Sequence, residues 1–245
     1  MKISNEKVAI VTGGTGALGR IIVNKLSREG MKVYVPARTL EEFNDVFDSS
    51  LKSEGDEFKL KKIFAFNCDA TDESSVREFV SKVADYEHGN IHFLINTVGG
   101  IGAPSSVEEL TSQELEKMIR LNFNSTFYFT RDVLKYMKKN NYGRIISIGA
   151  IAGIEPSPNR FSYSFAKAGV INLMDTVSEE MKNLNIRCNT IIPGIMDTPA
   201  NREWGSADDI KKWVKPEDIA EIVYNFLSTE FSSVRSSHIK VYGAY

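Results

Sequence analysis

The chain has 245 residues and a formal net charge of -2 at pH 7. Hydrophobic residues make up 42% and charged residues 25%, a globular balance that excludes a disordered chain. The near-neutral charge leaves no broad basic field for nucleic acid or a membrane surface. Two cysteines, Cys68 and Cys188, exclude a disulfide framework and a four-thiolate zinc site. No apolar run reaches the ~18 residues of a membrane-spanning helix. A cleavable signal pattern is not evident before the first apolar segment, so a cytoplasmic protein is expected.

Apolar Val8 to Val11 reads as a buried strand, followed by a glycine-rich turn and a helix from Arg20 to Arg28 that Gly30 stops. Lys32 to Val35 is the next strand, limited by Pro36. The polar segment from Phe47 to Lys59 reads as an extended, partly helical connection. Ile63 to Phe66 and Ile91 to Ile95 are strands, with a helix from Thr71 to about Glu87 between them. Helical periodicity runs through Glu108 to Lys139. Arg144 to Ile148, Ile186 to Ile192 and His238 to Val241 complete the strands. Helices are expected from Tyr163 to Leu184 and from Pro216, whose missing N–H costs nothing at a first helical position. This alternation predicts an α/β fold: one doubly wound parallel sheet in a three-layer α/β/α Rossmann arrangement. No linker divides residues 1–245, so a single NAD(P)-binding domain is expected. Residues 197–215 break the rhythm and read as a substrate-covering segment.

Gly14-x-Gly16-x-x-Gly19 lies between strand and helix, the context a dinucleotide fingerprint needs. Gly14 suits the tight turn, Gly16 the approach of a pyrophosphate, and Gly19 close helix packing. Gly13, Thr15 and Leu18 complete the loop. The helix's first amides would face the phosphates. An acidic residue about 20 positions farther on would bind an adenosine ribose diol. The strand tip here reads Pro36-Ala37-Arg38-Thr39, with no carboxylate. Arg38 suits a 2′-phosphate, which favours NADP(H) over NAD(H). Glu41 and Glu42 are read as first-turn residues of the next helix.

Tyr163 and Lys167 share one helix face. A lysine ammonium and a helix N-terminus would both favour the tyrosine phenolate, bringing it toward proton transfer at neutral pH. With these residues in place, the chain strongly resembles the short-chain dehydrogenase/reductase family over nearly its whole length. The resemblance is carried by the Thr12 to Gly19 loop, Cys68-Asp69, Asn96-Thr97-Val98-Gly99, Asn122, Tyr163-Ser164-Phe165-Ala166-Lys167 and Pro193-Gly194-Ile195-Met196-Asp197-Thr198. It implies hydride transfer between a nicotinamide and a small carbonyl or imine. It also implies that Tyr163 is the acid/base, that Lys167 binds the nicotinamide ribose and that Asn122 holds a relay water. Asp69 would lie on the adenine side and Thr198 against the carboxamide, while Asn96, Val98, Gly99, Pro193 and Gly194 would line the cofactor. No metal is implied, and His88, His92 and His238 form no metal motif.

The family usually has a serine 13 residues before the tyrosine, and here that position is Ala150. Loss of such a donor costs ~10²-fold or more in rate. Three readings stay open: an ordinary carbonyl or imine reductase, an enzyme for a substrate needing less polarisation, or a weakened cofactor-binding scaffold. The second is supported by a similarity to dihydropteridine reductase-like members, which share Gly13-Gly14-Thr15-Gly16-Ala17-Leu18-Gly19, Asp197-Thr198-Pro199-Ala200-Asn201-Arg202 and the alanine. Trp204 and Trp213 line a flat pocket or pack the covering segment. Arg202 meets substrate or forms a surface ion pair. The long helices around Phe123 to Phe129 and Ala166 to Val177 suit a homo-oligomer, dimer or tetramer, as the family commonly forms.

Overall fold

A computed structural model describes residues 6–47, 62–155 and 157–243. Most of the Phe47 to Lys59 connection lies outside the described residues. The strands are β1 (Val8–Thr12), β2 (Lys32–Ala37), β3 (Ile63–Asn67), β4 (Phe93–Asn96), β5 (Gly143–Ile148), β6 (Ile186–Pro193) and β7 (His238–Val241). They form one parallel sheet in the order β3-β2-β1-β4-β5-β6-β7. The order reverses beside β1, which pairs with β2 on one side and β4 on the other. A doubly wound sheet opens its ligand crevice at the carboxyl ends of the strands flanking such a point.

The larger helices are α1 (Ala17–Arg28), α2 (Leu40–Phe47), α3 (Glu73–Tyr86), α4 (Ser112–Ile119), α5 (Ser125–Lys139) and α6 (Phe161–Glu180). They are followed by α7 (Pro199–Arg202), α8 (Ala207–Ile210) and α9 (Pro216–Leu227). The period-2 alternation of β1 assigns the two faces. Ala9 and Val11 join Ile22, Leu26, Ile219 and Val223 of α1 and α9. Val8 and Ile10 join Phe79, Val83, Phe129, Val133 and Met174 of α3, α5 and α6. These two buried layers make the expected three-layer α/β/α fold.

Two boundaries differ from the sequence reading for clear reasons. β2 runs through Pro36 to Ala37. Lys32 N donates toward β1 and Val33 N toward β3, so Pro36 N faces β1; its missing N–H ends the β1 pairing at Ile10–Tyr34, while the odd-numbered residues keep their bonds to β3. The long helical stretch from Glu108 is divided. Thr111 starts α4 with a reciprocal capping box to Glu114, and a π turn spans Arg120–Asn124 before α5. That turn carries Asn122.

Candidate active site

β1 delivers the chain into the glycine loop. Gly13, rather than Gly14, takes the left-handed conformation of the turn, with φ +63°. Gly14 packs against Val35 and Val23, and a Cβ there would lie 2.8 Å from Val35 Cγ1. Gly16 caps α1 with no side-chain bond to the first helical amides, which leaves them for an anion. A Cβ on Gly19 would overlap the Gly13 carbonyl oxygen, so its close contact is with the loop itself rather than with the sheet. Leu18 is buried and forms part of the cavity wall.

Neighbouring strand ends brace the loop. Thr12 Oγ1 accepts from the Thr97 amide at 3.1 Å and from the Val98 amide at 3.5 Å, while Thr97 Oγ1 donates to the Thr12 carbonyl at 2.6 Å. Asn96 lies below this layer, 2% exposed. Its Nδ2 donates to Ser147 Oγ at 3.1 Å and Thr130 Oγ1 at 3.3 Å. It braces β4 and α5 and is absent from the cavity wall. Asp69, exposed after β3, accepts from the Thr71 amide and hydroxyl, both at 2.8 Å. At the tip of β2, the Arg38 guanidinium is exposed and meets Glu42 at 3.3 Å.

A cavity of about 550 Å³ opens on the carboxyl side of the sheet. Tyr163, Lys167, Gly99, Ala150, Pro193, Gly194 and Trp204 meet around it. Lys167 Nζ donates to the Ile148 carbonyl at 2.8 Å and lies 6.0 Å from the Tyr163 ring centre. The Asn122 amide donates to the Gly100 carbonyl at 3.0 Å and to the Met118 carbonyl at 3.2 Å, while its Oδ1 accepts from the Gly100 amide at 3.1 Å. The asparagine therefore pins the segment after β4 beside Lys167. A Cβ on Gly99 would lie 2.7 Å from Asn122 Oδ1 and 3.1 Å from Lys167 Nζ.

The short chain dehydrogenase family model matches residues 7–209. The chain belongs to the short-chain dehydrogenase family. It is accordingly an oxidoreductase of that family. A 7alpha-hydroxysteroid dehydrogenase of Clostridium sardiniense is 30% identical, over 100% of this chain and 95% of its own. A structure of ElxO with NADP bound superposes with a TM-score of 0.87 at 23% identity, covering 96% of this chain and 97% of that one. An NAD+-bound xylitol dehydrogenase gives the same TM-score at 24% identity and covers 100% of both chains.

Burial shifts both members of the Tyr163–Lys167 pair. Burial pushes the Tyr163 hydroxyl up to about 12, and only Arg160 opposes that rise. Burial also pulls the Lys167 ammonium down to about 8. Desolvation is the largest cause at both groups. Burial thus favours the neutral phenol of Tyr163. Tyr34, a second tyrosine with a strongly raised value, gives its hydroxyl to Glu87 at 2.5 Å and lies outside the cavity wall.

Residues 197–215 place Trp204 and Trp213 in different surroundings. Trp204 is 62% exposed on the cavity wall, while Trp213 is buried beneath it with ring centres 5.0 Å apart. Thr198 caps α7 by accepting from the Asn201 amide at 3.3 Å. Arg202 is engaged by Asp197 through two bonds, 2.5 and 2.8 Å, which makes it a surface ion pair. Ile101, Met196 and Tyr242 also line the cavity. Sequence reasoning missed them because no local pattern links a loop after β4, a loop after β6 and the end of β7. Among the described residues no group of three or more His, Cys, Asp or Glu is placed to hold a metal, and no helix is long and apolar enough to cross a membrane.

Proposed function

We propose that the protein is an NADP(H)-dependent reductase of a small, uncharged carbonyl or imine compound. The observation carrying this reading is the convergence of Tyr163, Lys167 and Ala150 on one mainly apolar cavity beside the glycine loop. The loop suits a dinucleotide, because Gly13 turns the chain while the uncapped amides of α1 stand at its exit. Arg38 supports the phosphorylated cofactor, and the relatives hold NADP in ElxO and NAD+ in the xylitol dehydrogenase.

The nicotinamide supplies the hydride when bound. Tyr163 donates the proton to the carbonyl oxygen or imine nitrogen. Its raised pKa keeps that proton in place through neutral pH. Lys167 remains largely cationic at pH 7 and holds the ribose side of the site. Asn122 fixes the Gly99–Gly100 segment beside Lys167, with the relay water as a further role. Asp69, Val98, Pro193, Gly194 and Thr198 form the remaining cofactor wall, while buried Asn96 supports it from below. Wall residues Ile101, Ile148, Ile151, Ile195, Met196 and Trp204 favour a neutral, apolar substrate.

Ala150 gives the carbonyl no second donor, so polarisation rests on Tyr163. The same alanine favours a second reading, a quinonoid dihydropteridine reductase-like activity, because an electron-poor imine needs less polarisation. NADPH consumption on ring ketones, diketones, 3-oxoacyl thioesters, quinones and quinonoid dihydropterin separates the two. The first reading expects turnover on carbonyls and a loss of about 10²-fold or more in Tyr163→Phe. Turnover on the pterin alone selects the second. Tight cofactor binding without turnover on any compound refutes both and favours a scaffold. The exposed Phe161 and Phe165 on α6 support a homo-oligomer, dimer or tetramer.

A further inference from the structure

The corner between the glycine loop, the tip of β2 and α2 contains a carboxylate after all. Glu42 lies one turn into α2, where its backbone amide donates to Thr39 Oγ1 at 3.1 Å. A glutamate at this third helical position commonly reaches back to the cap. Here its carboxylate turns across the corner instead. Thr15 Oγ1 donates to Glu42 Oε1 at 2.9 Å, and the Arg38 guanidinium lies 3.3 Å from Oε2. One acidic group therefore engages both a glycine-loop hydroxyl and the arginine expected to meet a 2′-phosphate.

We propose that Glu42 determines cofactor selectivity by competing with the 2′-phosphate for Arg38 and Thr15. This inference rests on the dinucleotide reading above. In a doubly wound sheet the end of β2 is where the adenosine ribose is recognised. A phosphomonoester brings a charge of about -1.5 to -2 near neutral pH. It must draw Arg38 away from Glu42 while meeting the carboxylate's own repulsion. A ribose bearing a free 2′-hydroxyl meets an acceptor instead. Glu42 thus weakens NADPH binding and supports NADH, giving a site that discriminates less than Arg38 alone would.

The test measures direct binding of NADPH and NADH by fluorescence or calorimetry, without substrate, to wild type, Glu42→Gln, Arg38→Ala and the double variant. Glutamine preserves size and can still accept from Thr15 while removing the charge; thermal midpoints verify folding. Loss of one partly screened charge near the phosphate is expected to tighten NADPH by about tenfold. NADH binding should stay unchanged or weaken. The gain should shrink in the Arg38→Ala background. A shift in the NADPH/NADH ratio below twofold in Glu42→Gln, or equal tightening of both cofactors, overturns the proposal. If wild type prefers NADH and Glu42→Gln moves it toward NADPH, the proposal stands and the NADP(H) preference fails. If wild type binds neither dinucleotide, the dinucleotide reading falls and this proposal with it.

Discussion

Gly99→Ala tests whether the segment after β4 positions the chemistry. Gly99 is outside the left-handed region, so alanine incurs no backbone penalty there. The cost comes from contact: the new methyl would stand 2.7 Å from Asn122 Oδ1 and 3.1 Å from Lys167 Nζ, where ordinary contact begins near 3.4 Å. Neither neighbour yields freely. Asn122 is tied to both Gly100 backbone groups and the Met118 carbonyl, and Lys167 to the Ile148 carbonyl. Overpacking of this kind costs about 1–3 kcal/mol of stability, a fall of several degrees in Tm for a chain of this size. A displacement approaching 1 Å at a reacting group costs ~10²-fold in rate, so a loss of roughly 10- to 100-fold in kcat is expected. The assay is NADPH oxidation with the best substrate, beside thermal unfolding. Gly100→Ala is the control, because its Cβ meets only Leu121 Cδ2, at 3.3 Å. If Gly99→Ala keeps kcat within twofold of wild type, or Gly100→Ala loses as much, the positioning argument is refuted.

Four further outcomes are expected. Gly19→Ala forces a methyl into the Gly13 carbonyl, backbone against backbone, so dinucleotide binding measured by fluorescence should fall beyond detection; near-normal affinity would show that the loop can relax. Reductase activity should decline as pH rises through about 8, where Lys167 loses its charge; an unchanged rate from pH 7 to 9.5 would dismiss its ammonium. The same shift acts oppositely on stability: between about 8 and 10.5 the unfolded chain binds the proton and the native chain does not, so stability rises with pH, and comparison with Lys167→Met isolates this contribution. Trp204→Ala should raise KM for ring substrates several-fold with little change in Tm, since that ring is mostly exposed; a large loss of Tm with unchanged KM would make it a packing residue.

The parts of the site read most directly from sequence were those whose chemistry follows from local spacing. Strand–glycine–helix succession marks an anion-binding turn, and Tyr163 with Lys167 shares a helix face at any tertiary arrangement. Roles within those motifs were less legible. Gly13 rather than Gly14 makes the turn, because φ depends on how the loop leaves β1. Spacing shows Lys167 beside Tyr163 but not their burial, a property of the whole fold that raises the tyrosine and lowers the lysine. Trp204 and Trp213 are equivalent as letters; only the path of residues 197–215 places one on the cavity and the other beneath it.

Glu42 joins these observations into a physical rule about the cofactor corner. The tip of β2 lacks a carboxylate, so the sequence favours NADP(H) through Arg38. Yet Arg38 to Glu42 is an i,i+4 interval, and α2 begins at Leu40, so the same short segment carries its own counter-charge to the corner. The pair alone is exposed and would contribute little to stability. Its consequence comes from the third partner: Thr15 belongs to the glycine loop proposed to receive the phosphates, and its bond fixes Glu42 there. Cofactor preference in this chain is therefore a competition for Arg38 between a carboxylate already present and a phosphate brought by the ligand.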